Sequence, residues 1–223
     1  MKRIYPVLGF VGLCWLVFLV NNLMMQGQLS HLGIVPRTIS GLSGVLLAPL
    51  LHASFHHLLA NTVPLLILGA IISLRSPATY VSITIAGTIL GGALTWLLAR
   101  HGCHIGASGL VFCYFGYVMG HAWFQRSILN ILLAFACGFI YGGLIWGLSP
   151  FQSGVSWEAH GAGLVAGALF AWIGSSGDEQ GTGRTYSPKN AGRRRSRRVQ
   201  RNRELWRLQC QRSHPPVLNP VFH

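Results

Sequence analysis

The sequence predicts an all-α polytopic membrane protein, a bundle of six transmembrane helices with both termini cytoplasmic. Three observations predict it. Of the 223 residues 51% are hydrophobic and only 9% charged, far below the quarter usual in a soluble domain. Apolar stretches of roughly 18 to 22 residues recur, long enough to cross a hydrocarbon core of about 30 Å. An even number of such stretches puts both ends on one side, and most basic residues gather there. The formal charge of +13 suggests a nucleic-acid binder until it is mapped. Of the 17 Lys and Arg, eleven lie between Arg184 and Arg212, so the charge belongs to a tail and not to the fold.

Taken in order, the spans read as 4–25, 54–74, 80–99, 106–124, 128–148 and 157–175. The first follows Lys2 and Arg3 as a signal peptide would. It is too long for an h-region and lacks a small-x-small cleavage site, so it reads as a retained span. The segment from Gln26 to Ala53, with Pro36, Pro49 and several Gly, is too interrupted for a clean span and reads as a partly membrane-embedded loop. Ser76-Pro77 and Ser149-Pro150 mark turns between later spans. Lys2, Arg3, Arg75, Arg126 and the tail fall on one side, which is therefore cytoplasmic, and Arg37 and Arg100 on the other. The organisation is a membrane domain over 1–175 and a basic tail over 176–223. The five cysteines, Cys14, Cys103, Cys113, Cys137 and Cys210, show no paired spacing and read mostly as small buried hydrophobes.

This topology brings the unusual polar residues to one depth. His52, His56, His57 and Asn61 lie near the outer end of the second span, Ser108 near that of the fourth, and His160 in the outer part of the sixth. Ionisable and polar groups inside a membrane are costly and by default point to function. The four carboxylates are Glu158, Asp178, Glu179 and Glu204. An aspartyl mechanism needs two carboxylates sharing a site, and the only aspartate lies at the cytoplasmic end. No His-Glu-x-x-His motif exists for a zinc hydrolase, and a zinc site of His52, His56 and His57 lacks further ligands nearby. A zinc site is not expected.

Serine with histidine remains. A serine hydroxyl is a weak nucleophile until a base takes its proton, and His160 is the histidine placed in a span at the depth of Ser108. Glu158 stands two residues before His160 on a helix and points elsewhere, so a dyad is expected, with the imidazole oriented by packing. Gly106 and Gly109, with Gly161, Gly163 and Gly167, allow the two helix backbones to approach closely. Acyl transfer also needs donors for the oxyanion. Asn61, His57 and the backbone N–H of Ser108 supply them, His57 and Asn61 sharing a face at i, i+4. Each residue has a plainer reading: Ser108 as packing, His160 as a helix–helix hydrogen bond, His57 and Asn61 as a tie to a loop. Co-location shifts the balance toward chemistry.

At this point the residues resemble a known family. "GASG" opening the fourth span, "AHGAG" in the last and "HASFHHLLAN" at the start of the second resemble the rhomboid intramembrane serine proteases of the bacterial six-span type. The likeness runs in order from about Gly33 to Trp172. It implies a rhomboid-like bundle with Ser108 as nucleophile, His160 as general base, and His57 and Asn61 at the oxyanion. His52 matches a further histidine that supports the cavity, and Gly106 belongs to the Gly-x-Ser-Gly motif. It also implies cleavage of single-span membrane proteins near the outer face, where helix-weakening residues lower the cost of unwinding by about 1 to 3 kcal/mol each.

Two positions depart from the family pattern. Phe112 stands where many members carry a tyrosine that packs on the catalytic histidine, so the stacking face stays and the hydroxyl goes. The Trp-Arg pair of some members' first loop is missing, with Pro36-Arg37 in a different arrangement. Relatives that bind transmembrane helices without cutting them lack the serine or the histidine; that non-proteolytic function is the alternative. A transporter is disfavoured by the want of buried carboxylates. The Arg-rich tail is expected to meet anionic lipid headgroups, at roughly 1 kcal/mol per basic residue near the surface, and no nucleic acid. The expected location is a bacterial inner membrane.

Overall fold

The computed structural model describes residues 2–125, 128–151 and 154–182. The basic tail beyond 182, Arg126 and Cys210 lie outside the described residues. By contact the chain divides into Met1–Gly177 and Asp178–His223, and the core and site described below lie in the first.

Among the described residues the fold is entirely helical. Helix α1 is Tyr5–Leu23, α2 a single turn at Gly44–Leu47, α3 Phe55–Arg75 and α4 Pro77–Leu98; α5 follows at Ser108–Gln125, α6 at Ile128–Tyr141 and α7 at Trp157–Thr182. Three of the described helical stretches, Lys2–Leu23, Phe55–Arg75 and Pro77–Leu98, are long and apolar enough to cross a membrane. On α4 the reason is visible residue by residue. Tyr80, Ile83, Gly87, Gly91 and Thr95 form a buried stripe, while Val81, Ile85 and Ile89 are apolar yet exposed. A helix apolar on every face belongs in lipid. The termini follow local signals: Ser54 caps α3 by accepting the N–H of His57, and Ser76 caps α4 by accepting that of Thr79 ahead of Pro77 at its first turn.

The fifth predicted span differs from the 128–148 read in the sequence. Residues Ile128–Tyr141 are α-helical, and the chain then tightens into a 3₁₀ segment, Gly142–Leu148. Apolar patterning alone cannot tell these two windings apart, because both bury the same residue types.

Helix α5 is the hub. Leu110, Val111, Cys113, Tyr114 and Val118 join Leu65, Leu68 and Ile72 of α3 and Tyr80 and Ile83 of α4 in one core, with Cys137 of α6 and Ala166 of α7. Helix α1 packs on α3, where the Trp15 indole N–H donates to Thr62 Oγ1 at 3.1 Å. Cys14, Cys113 and Cys137 are buried as expected of small hydrophobes, whereas Cys103 is exposed.

The loop from Gln26 to Ala53 is not loose. Short 3₁₀ turns at Gln28–Leu32 and Ala48–Leu50 pack it on α1, and the turn at Ser40–Leu42 with α2 packs it on α4. Arg37 holds it there. Its N–H donates to Trp96 O at 3.0 Å and its guanidinium to Leu97 O and Ala99 O at 3.1 and 2.8 Å, while the Trp96 indole donates to Thr38 O at 2.8 Å. A cation on the last carbonyls of a helix satisfies groups that have no intrahelical donor and complements the helix dipole.

Candidate active site

The segment that delivers Ser108 is tied down before the helix begins. Ile34 and His104 form an antiparallel bridge, N···O 2.9 and 2.8 Å, and Gly106 N–H donates to Ala48 O at 2.9 Å. The folded first loop is therefore a wall against which residues 104–106 are laid. Ala107 N–H then donates to His52 Nε2 at 3.4 Å, and the ring's Nδ1 lies 3.4 Å from Leu50 O. These partners assign the neutral tautomer with hydrogen on Nδ1. Burial of His52, which lies ahead of α3, pushes its imidazole down to about 4, and the neighbouring His57 adds to the fall. Its place in the structure is under the serine segment.

Gly106 has φ +116°, and a Cβ there would meet His57 Cε1 and Nε2 at 2.6 Å. Only glycine suits both the left-handed backbone and the close ring. The sequence reading gave Gly106 to helix–helix approach; the structure uses it to seat His57. Ser54 fixes His57 from behind through the cap described above. Asn61, one turn on, donates from Nδ2 to His57 O at 3.1 Å and is buried. Its second amide hydrogen remains for the cavity.

Helix α5 starts at Ser108, and its first N–H groups have no intrahelical acceptor. Ser108 Oγ lies 2.8 Å from His160 Nε2. His160 is 7% exposed and its Nδ1 lies 2.8 Å from the carbonyl oxygen of Gly147. Because a carbonyl only accepts, Nδ1 carries the hydrogen and Nε2 presents its lone pair to the serine hydroxyl. Phe112 lies flat on the imidazole, ring centroids 4.3 Å apart and planes 12° from parallel. The orientation expected from packing alone thus comes from packing plus a backbone acceptor. Gly147 sits in the 3₁₀ segment, and no side-chain pattern advertises a carbonyl. Glu158 points away, its Oε1 accepting Arg100 N–H at 3.2 Å.

Glycines bring α5 and α7 together, though not all of those named above. A Cβ at Gly163 would run into Gly109 O, and one at Gly167 into Cys113 O, whereas Gly161 faces open space. Carbonyl oxygens of α5 therefore lie against bare backbone of α7.

These groups line one open cavity of about 820 Å³, which includes His57, Asn61, Ser108, Phe112, Gly147 and His160. His52 lies behind the serine segment instead, and His56, the remaining histidine of α3, is exposed. Sequence reasoning missed Gly147, His104, Ser156 and Arg100, whose partners are distant in the chain. The arrangement offers a hydroxyl on a neutral base beside amide donors, in a cavity of mixed polarity.

Comparison with known proteins places the chain in a family. The model of the Rhomboid domain matches residues 40–177. An uncharacterized protein of Mycobacterium tuberculosis and one of Mycobacterium bovis are each 40% identical over 176 residues, covering 75% of this chain and 73% of theirs. An uncharacterized protein of Mycobacterium leprae is 34% identical over 198 residues, 83% of this chain and 75% of its own. With the matched region running from within the first loop into α7 and taking in both Ser108 and His160, this membrane protein belongs to the rhomboid family.

Proposed function

We propose that the protein is an intramembrane serine endopeptidase that cleaves single-span membrane proteins near the outer membrane face. The observation that carries this reading is the 2.8 Å contact of Ser108 Oγ with a His160 ring whose other nitrogen is occupied by Gly147 O. His160 Nε2 takes the hydroxyl proton as Ser108 Oγ adds to the scissile carbonyl carbon. The tetrahedral oxyanion is met by the backbone N–H of Ser108, the free amide hydrogen of Asn61 and the ring of His57. His160 then gives its proton to the leaving amine, and a water deprotonated by His160 hydrolyses the acyl-enzyme. No metal or organic cofactor takes part in this scheme.

In this reading α1, α3, α4, α5, α6 and α7 are the six spans of a bacterial inner-membrane protein, and both termini are cytoplasmic. The site then opens outward, and the basic tail lies against anionic lipid. A substrate helix must unwind locally to expose its carbonyl, so helix-weakening residues select the cut.

The test uses purified protein in liposomes with a fluorophosphonate probe and a model single-span substrate. Wild type is labelled and cleaves; Ser108→Ala and His160→Ala do neither, with rates down by a factor of about 10⁴ or more. A folded wild type that is not labelled, or cleavage that survives in Ser108→Ala, moves the protein to the helix-binding, non-proteolytic class.

A further inference from the structure

Outside the reacting pair, a second histidine–serine contact joins the segment before α5 to the residue before α7. His104 is 9% exposed, and its Nδ1 is 2.6 Å from Ser156 Oγ while its Nε2 is 3.0 Å from Arg100 O. The carbonyl only accepts, so Nε2 carries the hydrogen, and in the neutral ring Nδ1 accepts from the Ser156 hydroxyl. Ser156 begins α7. Its Oγ accepts Ala159 N–H at 3.4 Å and its carbonyl accepts His160 N–H at 3.2 Å. Arg100 grips the same stretch from the other side, donating to Val155 O at 2.6 Å.

The register is what makes this contact informative. His104 precedes Ser108 by four residues, and Ser156 precedes His160 by four. Both pairs therefore span the same separation, 52 residues. The two contacts join the same two segments with the residue types exchanged. The glycine packing of α5 on α7, Gly163 on Gly109 O and Gly167 on Cys113 O, sets how closely the helices approach along their length, and the His104–Ser156 contact adds a polar tie at the end where the reacting atoms lie. The His104–Ser156 contact joins the two segments four residues ahead of Ser108 and of His160, closer to the reacting atoms than the deeper glycine contacts at Gly167 and Gly120. A displacement of about 1 Å there is enough to cost about a hundredfold in rate.

We propose that His104 and Ser156 form a clamp that sets the distance between Ser108 and His160, acting as positioning residues for peptide-bond cleavage. The clamp rests on the protease reading above. It predicts that both residues affect turnover through one shared bond, while substrate binding is left alone.

The experiment compares full-length wild type, His104→Ala, Ser156→Ala, the double variant and Ser156→Thr in liposomes. It reads kcat and KM on the model substrate, the rate of Ser108 labelling, and the melting temperature. Each alanine variant lowers kcat by about ten- to a hundredfold with KM little changed. The double variant is no slower than the slower single variant, because both changes remove the same bond. Ser156→Thr, which keeps the hydroxyl, recovers most of the rate. Unchanged kcat, losses that multiply in the double variant, or a fall in melting temperature with kcat intact overturns the clamp. If His104→Ala yields no folded protein, the two Ser156 variants decide: recovery by threonine supports the clamp and equal rates overturn it. A wild type that neither labels nor cleaves overturns the protease reading and the clamp with it. A wild type that labels while His104→Ala and Ser156→Ala label equally fast overturns the clamp alone.

Discussion

Phe112 carries the residue-scale argument, because at this position ring and hydroxyl are separable. Its ring lies stacked on His160 with centroids 4.3 Å apart, and the imidazole is held at its far edge by Gly147 O. A stacked aromatic pair contributes about 0.5–1.5 kcal/mol beyond the area it buries. Phe112→Ala is therefore expected to slow cleavage by about three- to tenfold, and Phe112→Tyr to leave the rate near wild type. Single-turnover cleavage in liposomes checks both. A Phe112→Ala rate equal to wild type would mean that Gly147 O alone orients the ring. Gly106 is the opposite case, a position where no side chain is tolerated, since its backbone is left-handed and His57 fills the space a Cβ needs.

At the scale of elements, the α5–α7 contact decides whether two distant residues meet. Gly163 and Gly167 of α7 lie against Gly109 O and Cys113 O of α5, while Gly161 on the same helix faces nothing. Gly163→Ala and Gly167→Ala should each destabilise the fold by about 1–3 kcal/mol, the usual cost of overpacking, and should slow cleavage by separating the helices. Gly161→Ala should be neutral or should stabilise by up to about 1 kcal/mol, because alanine is the better helix former. Thermal unfolding of the three variants in detergent separates them. If Gly161→Ala proves as damaging as the other two, the assigned faces of α7 are wrong. The capped start of α3 belongs to the same scale: Ser54 uses an ordinary N-cap to place His57 at the first turn.

The whole molecule adds orientation and the first loop. Residues 26–53 bind the end of α4 through Arg37 and the serine segment through Ile34 and Ala48, so the loop is a structural wall of the site. Its side of the membrane follows from the proposed topology. Alkaline phosphatase fused after Leu98, at the end of α4, should be active outside the cell, and a fluorescent protein at the C-terminus should light up inside. An inactive phosphatase fusion together with a dark C-terminal fusion would invert the topology and put the cavity on the cytoplasmic face.

Much of this molecule was legible one-dimensionally. Apolar length, charge asymmetry and caps such as Ser54 and Ser76 are local properties, written within a turn or two of where they act, and they yielded a helical membrane protein. Ser108, His160, His57 and Asn61 stood out because polar groups are rare in such helices. The winding after Tyr141, the choice of Gly163 and Gly167 over Gly161, the seat of His57 on Gly106 and the contact of His104 with Ser156 were not legible. Each depends on which face of one segment meets another far along the chain, and the Gly147 carbonyl is a backbone group that every residue possesses. By itself the sequence determined that the chain forms apolar helices and which polar residues stand out in them, because those follow from local propensity and the cost of burying polar groups. Only the tertiary structure decided distance, tautomer and partner, because these are set by packing between segments that share no covalent neighbourhood.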